Sequence, residues 1–498
     1  MRKIILVCLI SLFAISCLYA QSPKSLGLVY SLGIFSSKMA DGTVVGDGEY
    51  VLTKKDVVFE KLNEVKRGSI VSTYGHINPY PLFVSAETGD IYECSTVAVL
   101  DDWDLALLKL PIKLKCTNKI EEMTKIPTGK FEINPVGKKV ATQYIGINRN
   151  EETGEFSVCR FESKMGILEK SSYDKRFFMC DEDIPFLTPG GMLIKDNKLV
   201  GIMNSFQPLD DFNKKKSFMA AEYCIISPIL DYCKENNIPF TNAPTADSQG
   251  EPKLNCLKEA NSIFSQTEFG TDKTIIEATD RYNLKDSSAI ALALKGMALE
   301  NTDEEEAKKT YEKALETAPK QAYPFIRYAN IRKDKITALK DLLKDFPNDY
   351  RIYERLAAAY AEQKNSELAY SCITQAIKYN PEDPVLILQK AKFAKAMGKD
   401  EEVINCFRDI NRIVPRWADA IKYECEYFIE AKDTITASQI ADYWLKLLPE
   451  SFYANLYRAE IYYMSGYTEE GDPFLEKAKS LAGEEDLPLI ENTEKKYK

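Results

Sequence analysis

The sequence predicts a multidomain protein: an all-β first half, barrel or sandwich, followed by an all-α helical solenoid. Three observations predict it. Up to about residue 240, apolar residues come in short or alternating runs broken by turn residues. From residue 253 onward the apolar period changes to one near that of a helix. Finally, Pro347, Pro381, Pro415 and Pro449 recur at one constant interval, which marks a repeat.

The chain begins with an expected signal peptide over residues 1–20. Arg2 and Lys3 precede an apolar stretch, with cleavage expected after Ala20. The stretch is too short for a membrane span. The Tyr19-Ala20-Gln21 junction is similar to signal peptides of Bacteroidetes-type bacteria. Cys17, after Ala14-Ile15-Ser16, offers a second option, a lipid-anchored cysteine. An exported protein, periplasmic or secreted, is expected. The net charge of -10 gives no basis for a nucleic-acid partner. His76 is the single histidine and there is no CxxC pair, so neither a metal site nor a cofactor is expected. Export permits disulfides, which are expected among the cysteines up to Cys233; those further on sit at apolar helix positions and read as buried thiols.

Residues 21–240 form the β-rich domain. Strands are expected over 26–31, 43–45, 50–52, 69–73, 82–85, 91–100, 105–110, 139–144 and 156–161. Next come Gly190-Gly191, an apolar run at Met192-Leu193-Ile194, a polar turn and a second run over 199–202. A short helix follows over 227–236, with Ser227 as N-cap and Pro228 at its first position.

Three landmarks in order resemble the trypsin-like serine peptidases. Gly48 to Thr53 (GEYVLT) is similar to the strand before the catalytic histidine, and the continuation puts Asp56 at the histidine position. Asp104-Leu105-Ala106-Leu107-Leu108 matches the segment that carries the catalytic aspartate, here Asp104. Gly190, Gly191, Leu193, Val200, Gly201 and Ile202 match the nucleophile segment, but the nucleophile position is Pro189. The resemblance implies a trypsin-like double β-barrel. Its chemistry does not carry over. Proline has neither a hydroxyl to attack a carbonyl nor an N–H for an oxyanion. An ordinary carboxylate cannot cycle a proton as imidazole does, and two carboxylates facing one another would raise one of their pKa values. His76 reads as a loop residue. Ser205 lacks a nucleophile setting, and Cys180 has no basic partner legible in the sequence.

Residues 241–252 (TNAPTADSQGEP) read as a linker, and residues 253–484 as the helical repeats. In one repeat Tyr353, Leu356, Ala357, Tyr360, Ala369, Ile373, Ala376 and Pro381 resemble the tetratricopeptide motif, large and small residues alternating where paired helices meet. The proline interval equals the length of that motif, about 34 residues. The resemblance implies a scaffold whose concave face holds a protein or peptide. By position, the first helices of the pairs would offer Arg351, Glu354, Lys392, Lys395, Asp419, Lys422 and Glu426 to that face. Residues 485–498 read as a polar tail. The function expected is a non-catalytic, peptidase-like scaffold; the alternative is an active peptidase with a non-standard nucleophile.

Overall fold

The structure is a computed structural model that describes residues 23–31, 38–66, 69–77, 81–100, 103–115, 118–121, 140–150, 153–167, 177–180, 190–195, 198–211, 216–243, 251–317, 321–381, 383–413 and 417–497. The expected signal peptide and Pro189 lie outside the described residues. The chain divides into two compact units. One comprises residues 1–60 and 77–338, the other residues 61–76 and 339–498.

The first unit opens with a seven-stranded antiparallel sheet. Its strands are β1 (Leu26–Ser31), β2 (Lys38–Val45), β3 (Tyr50–Lys54), β6 (Pro81–Ser85), β7 (Ile91–Glu93), β8 (Ser95–Leu100) and β9 (Leu105–Lys109), in the order β7-β6-β1-β2-β3-β9-β8. The run expected as one strand over 91–100 is two: residues 91–93 pair with β6 and residues 95–100 with β9, with Cys94 between them. Between β3 and β6 lie a single helical turn, α1 (Lys55–Val58), and a two-stranded ribbon, β4 (Phe59–Lys66) and β5 (Ser69–Ile77), most of which falls in the other unit. His76 is therefore in a strand rather than the expected loop; the β-formers Ile70, Val71, Thr73 and Tyr74 carry the strand up to it.

A closed barrel follows: β10 (Val140–Arg149), β11 (Phe156–Ile167), β12 (Phe177–Cys180), β13 (Met192–Lys195), β14 (Lys198–Asp211) and β15 (Lys216–Ile225), ordered β10-β11-β12-β15-β14-β13. The β13–β14 hairpin is the one expected from the sequence. Strand β1 is buried on both faces. Leu26, Leu28 and Tyr30 join a core shared with the barrel, while Val29 joins a second core on the opposite face of the sheet. That explains its almost unbroken apolar sequence. Helix α2 (Pro228–Glu235) has Ser227 at its N-cap, but no side-chain capping bond forms there.

Helices α3 (Leu254–Phe269), α4 (Asp272–Arg281), α5 (Ala289–Leu299), α6 (Glu304–Thr317) and α7 (Ala322–Ile331) belong to the same unit and share its core. The Phe264 ring stacks on Tyr30 at 4.3 Å between centroids. The Tyr282 hydroxyl donates to the Gly89 carbonyl. Buried Glu93, on edge strand β7, reaches the start of α7. Its Oε2 accepts from the Tyr323 N–H at 2.8 Å, and its own N–H donates to Gln321 at 2.6 Å. A carboxylate from the sheet thus caps a helix from far along the chain. Helix α8 (Lys335–Leu342) spans the division between the units.

The second unit holds α9 (Tyr350–Glu362), α10 (Ser366–Tyr379), α11 (Pro384–Ala396), α12 (Asp400–Ile413), α13 (Ala418–Glu430), α14 (Thr434–Leu447), α15 (Phe452–Met464), α16 (Thr468–Leu481) and α17 (Leu487–Tyr497). Ala357, Ala391, Cys425 and Ala459, one per first helix and spaced as the prolines are, are all fully buried. A small side chain at that column lets paired helices approach. Lys364, Gly398, Lys432 and Gly466, at the same interval, all take the left-handed conformation that turns each pair. Asp349, Asn365, Asp433 and Ser451 cap their helices with side-chain oxygens. The stretch read as a polar tail holds α17, which buries Ile490. Cys94, Cys159, Cys224, Cys233, Cys256, Cys372, Cys406 and Cys425 are free thiols, and all but Cys159 and Cys372 of these are buried. Among the described residues no helix is long and apolar enough to cross a membrane, and no group of three or more potential ligands could hold a metal.

Candidate functional site

Two places qualify: the region of the peptidase-like landmarks, and the face of the repeats. The first is set by strand register. Strand β3 pairs with β9 so that Thr53 lies opposite Ala106 and Lys54 opposite Leu105. The residues flanking that last pair, Asp56 and Asp104, are thereby brought together. The Asp104 carbonyl accepts the Lys55 N–H at 3.0 Å, and Asp104 sits at φ 52°, a left-handed value that aspartate tolerates. Between the two carboxylates stands a side chain the sequence reading passed over. The Lys54 ammonium is 3.2 Å from Asp56 and 3.9 Å from Asp104. The two carboxylates do not simply face one another, as expected from the motif alone; they share a cation.

Gly190, next to Pro189, closes onto the same sheet. Its N–H donates to the Met203 carbonyl at 2.7 Å, and its own carbonyl accepts from the Thr43 hydroxyl. Its backbone lies so close to Asp41 that a Cβ would meet the Asp41 carbonyl oxygen at 2.0 Å. That oxygen also accepts from the Thr53 hydroxyl at 2.9 Å, linking the glycine turn to the strand that carries Lys54.

Asp41 is itself fully buried. Its Oδ2 accepts the Ile147 N–H at 2.9 Å, and its Oδ1 has no partner. Burial pushes its pKa well above the usual carboxylate range, against the smaller opposing effect of the Ile147 bond. The folded protein thus keeps a proton that the unfolded chain loses. Stability from this group is complete below the unfolded value and falls as pH rises towards the folded one. Asp41→Asn is expected to remove that dependence. Urea melts from pH 4 to 8 should show the variant gaining on the wild type as pH rises; parallel curves would refute the assignment.

On the repeats, the first helices are stitched face to face at a fixed offset. Lys392 on α11 lies 5.6 Å from the Tyr423 ring centre on α13. One helix pair later, at the same offset in sequence, Glu426 accepts the Tyr457 hydroxyl. Lys422 lies 3.5 Å above Tyr453, again at that offset. Lys395 adds a second cation at Tyr423 and an ion pair to Glu430. Glu354 on α9 accepts from Gln389 on α11 at 3.5 Å, and burial raises its pKa. Asp419 lies in the first turn of α13. Arg351 departs from the expected groove cation. It is buried, and its guanidinium forks onto Asp349, with Nε 2.8 Å from Oδ1. The reason is local: it stands two positions after an aspartate that caps the same helix. The tyrosines of this face were missed, although their recurrence at the repeat interval would have disclosed them.

A tetratricopeptide-repeat family model matches residues 290–321 and 350–383, so tetratricopeptide repeats are present in the chain. No curated protein matches it. Among solved structures, a tetratricopeptide repeat protein from Parabacteroides merdae is 14% identical with a TM-score of 0.34, over 47% of this chain and 96% of that one. The C-terminal part of a repeat-containing protein from Cytophaga hutchinsonii is 12% identical with a TM-score of 0.37, over 46% and 97%. An HtrA-type protease, AlgW, with a tripeptide is 15% identical with a TM-score of 0.30, over 45% and 63%. At such scores these likenesses decide nothing about this chain.

Proposed function

We propose that this protein is an exported scaffold that holds a protein or peptide partner on the first-helix face of its repeats. Its β-rich region is, on this reading, a trypsin-like fold without its reaction. The observation that carries the reading is the repeat array, since such repeats commonly mediate protein–protein interaction. The non-catalytic reading is supported by Asp56 and Pro189 standing at the family's histidine and nucleophile positions, and by Lys54 lying between Asp56 and Asp104. Export rests on the N-terminal pattern alone.

The test has two arms on the full chain. A peptidyl phosphonate should label nothing; stoichiometric labelling of any residue in the β-rich region would overturn the non-catalytic reading. A displayed random-peptide library should enrich binders; no enrichment over a helical-bundle control would overturn the scaffold reading.

A further inference from the structure

The stitching of the first helices changes character between α9 and α11. At the next step, Tyr423 on α13 lies over both Lys392 and Lys395 of α11. One repeat earlier those three positions hold Gln389 on α11 and Ala358 and Ala361 on α9. A ring and two long cations are thus replaced by an amide and two methyl groups, and Ala358 is exposed. Two cations flank this step of small side chains. Arg355 stands one helical turn before Ala358 and one repeat before Gln389. Its Nε is buried without a hydrogen bond, and its terminal nitrogens make no hydrogen bond or ion pair among the described residues. Arg351 and Arg458, also on first helices, are by contrast committed to Asp349 and Asp442. Lys392, one repeat after Ala358, is exposed and meets the Tyr423 ring but no carboxylate among the described residues. Glu354, beside Arg355 in sequence, is turned to Gln389 at 3.5 Å, and burial raises its pKa against the opposing pull of Arg355.

We propose that Arg355 and Lys392 form a site for a carboxylate of the partner peptide, from an acidic side chain or a free C-terminus. The proposal rests on the scaffold reading and names the chemistry of its ligand. Charge complementarity is the argument. Two positive groups on successive first helices, without carboxylate partners, attract an anion, and the alanines between them leave the approach open. A guanidinium presents its donors in a plane that matches a carboxylate, and a lysine ammonium adds a compact charge. Burial at Nε holds the Arg355 side chain, so less freedom is lost when its terminal nitrogens take a ligand. At the following steps the equivalent positions are filled from within. Lys395 is paired with Glu430, and Glu426 holds the Tyr457 hydroxyl. The uncompensated positive charge is therefore confined to the α9–α11 step of this face.

The experiment uses the full chain with isotope-labelled arginine, titrated with glutarate as the carboxylate probe at constant ionic strength. A saturable shift of the Arg355 Nε–H resonance is expected, and Lys392→Gln should weaken the binding by roughly fivefold or more. Lys446→Gln, on exposed Lys446 of α14, should not. No saturable shift, or binding indifferent to Lys392→Gln, overturns the site. Tighter binding of inorganic phosphate than of glutarate overturns the carboxylate assignment. Peptides from the displayed library separate the two claims. Support for both comes from binders weakened by roughly tenfold or more in Arg355→Gln, and also when one acidic residue is changed to its amide or the C-terminus is amidated. The effective change identifies the source of the carboxylate. Weakening in Arg355→Gln with neither peptide change effective overturns the carboxylate. Binders indifferent to Arg355→Gln overturn the site and leave the scaffold standing. No binders, with glutarate still shifting the Arg355 resonance, overturns the scaffold and keeps the site.

Discussion

Gly190→Ala is expected to prevent the β-rich region from reaching its native packing. Gly190 has φ 103°, where an L-residue is strained whatever its surroundings. The added Cβ would lie 2.0 Å from the Asp41 carbonyl oxygen and 3.0 Å from its nitrogen, so backbone must move. It cannot move cheaply. Asp41 lies in β2, which is hydrogen-bonded to β1 on one side and β3 on the other. Strain of about 1–2 kcal/mol for the conformation and about 1–3 kcal/mol or more for the overlap add up to a large part of a domain's stability. The expected outcome is loss of soluble protein or a fall in melting temperature of at least about 10 °C. Gly191→Ala is the comparison: its Cβ would meet the tip of the Tyr144 side chain, not backbone, and φ there is ordinary. Milder damage is expected from it. A Gly190→Ala melt matching the wild type would show that the turn does not close on β2.

That closure illustrates what the sequence discloses and what it withholds. The glycine pair and the hairpin behind it are legible, because a tight turn and alternating apolar runs are local signals. That Gly190 needs its missing side chain because of Asp41, in a strand from the other end of the β-rich region, is not local and cannot be read from spacing. The repeat columns are legible for the opposite reason. A position that recurs once per repeat reports its environment several times over, so Ala357, Ala391, Cys425 and Ala459 disclose a buried seam together. Lys54 and Glu93 were missed because a charged residue in a strand reads as solvent-facing. In the fold each is committed to partners brought in by register or by a helix from far along the chain. Arg351 was misplaced by the same shortcut: repeat position predicts the face of a helix, and a neighbouring cap residue can still recruit the side chain.

A fragment ending at residue 243, after the β-rich region, is expected to be insoluble or molten, while one ending at residue 338 should fold cooperatively. Helices α3 to α7 resemble a separate array by periodicity, because an apolar stripe looks alike whichever surface it covers. Here Leu257, Ile263, Phe264, Ile290 and Leu294 lie in one core with Leu28, Tyr30, Leu82 and Val84 of the sheet. Each such side chain contributes about 1.5–3 kcal/mol on burial, so removing five costs on the order of 10 kcal/mol, comparable to a whole domain's net stability. Polar losses add to this. Without α7, the Glu93 carboxylate and main-chain N–H lose Tyr323 and Gln321, and without α4 the Gly89 carbonyl loses the Tyr282 hydroxyl that follows it. Circular dichroism and dye binding on the two fragments decide the matter. A cooperative melt of the shorter one would mean that the helices dock on a finished domain. Failure of the longer one, with the full chain intact, would move the boundary into the later repeats. If the expectation holds, helices α3 to α7 fold as one unit with the β-rich region, whose core they share.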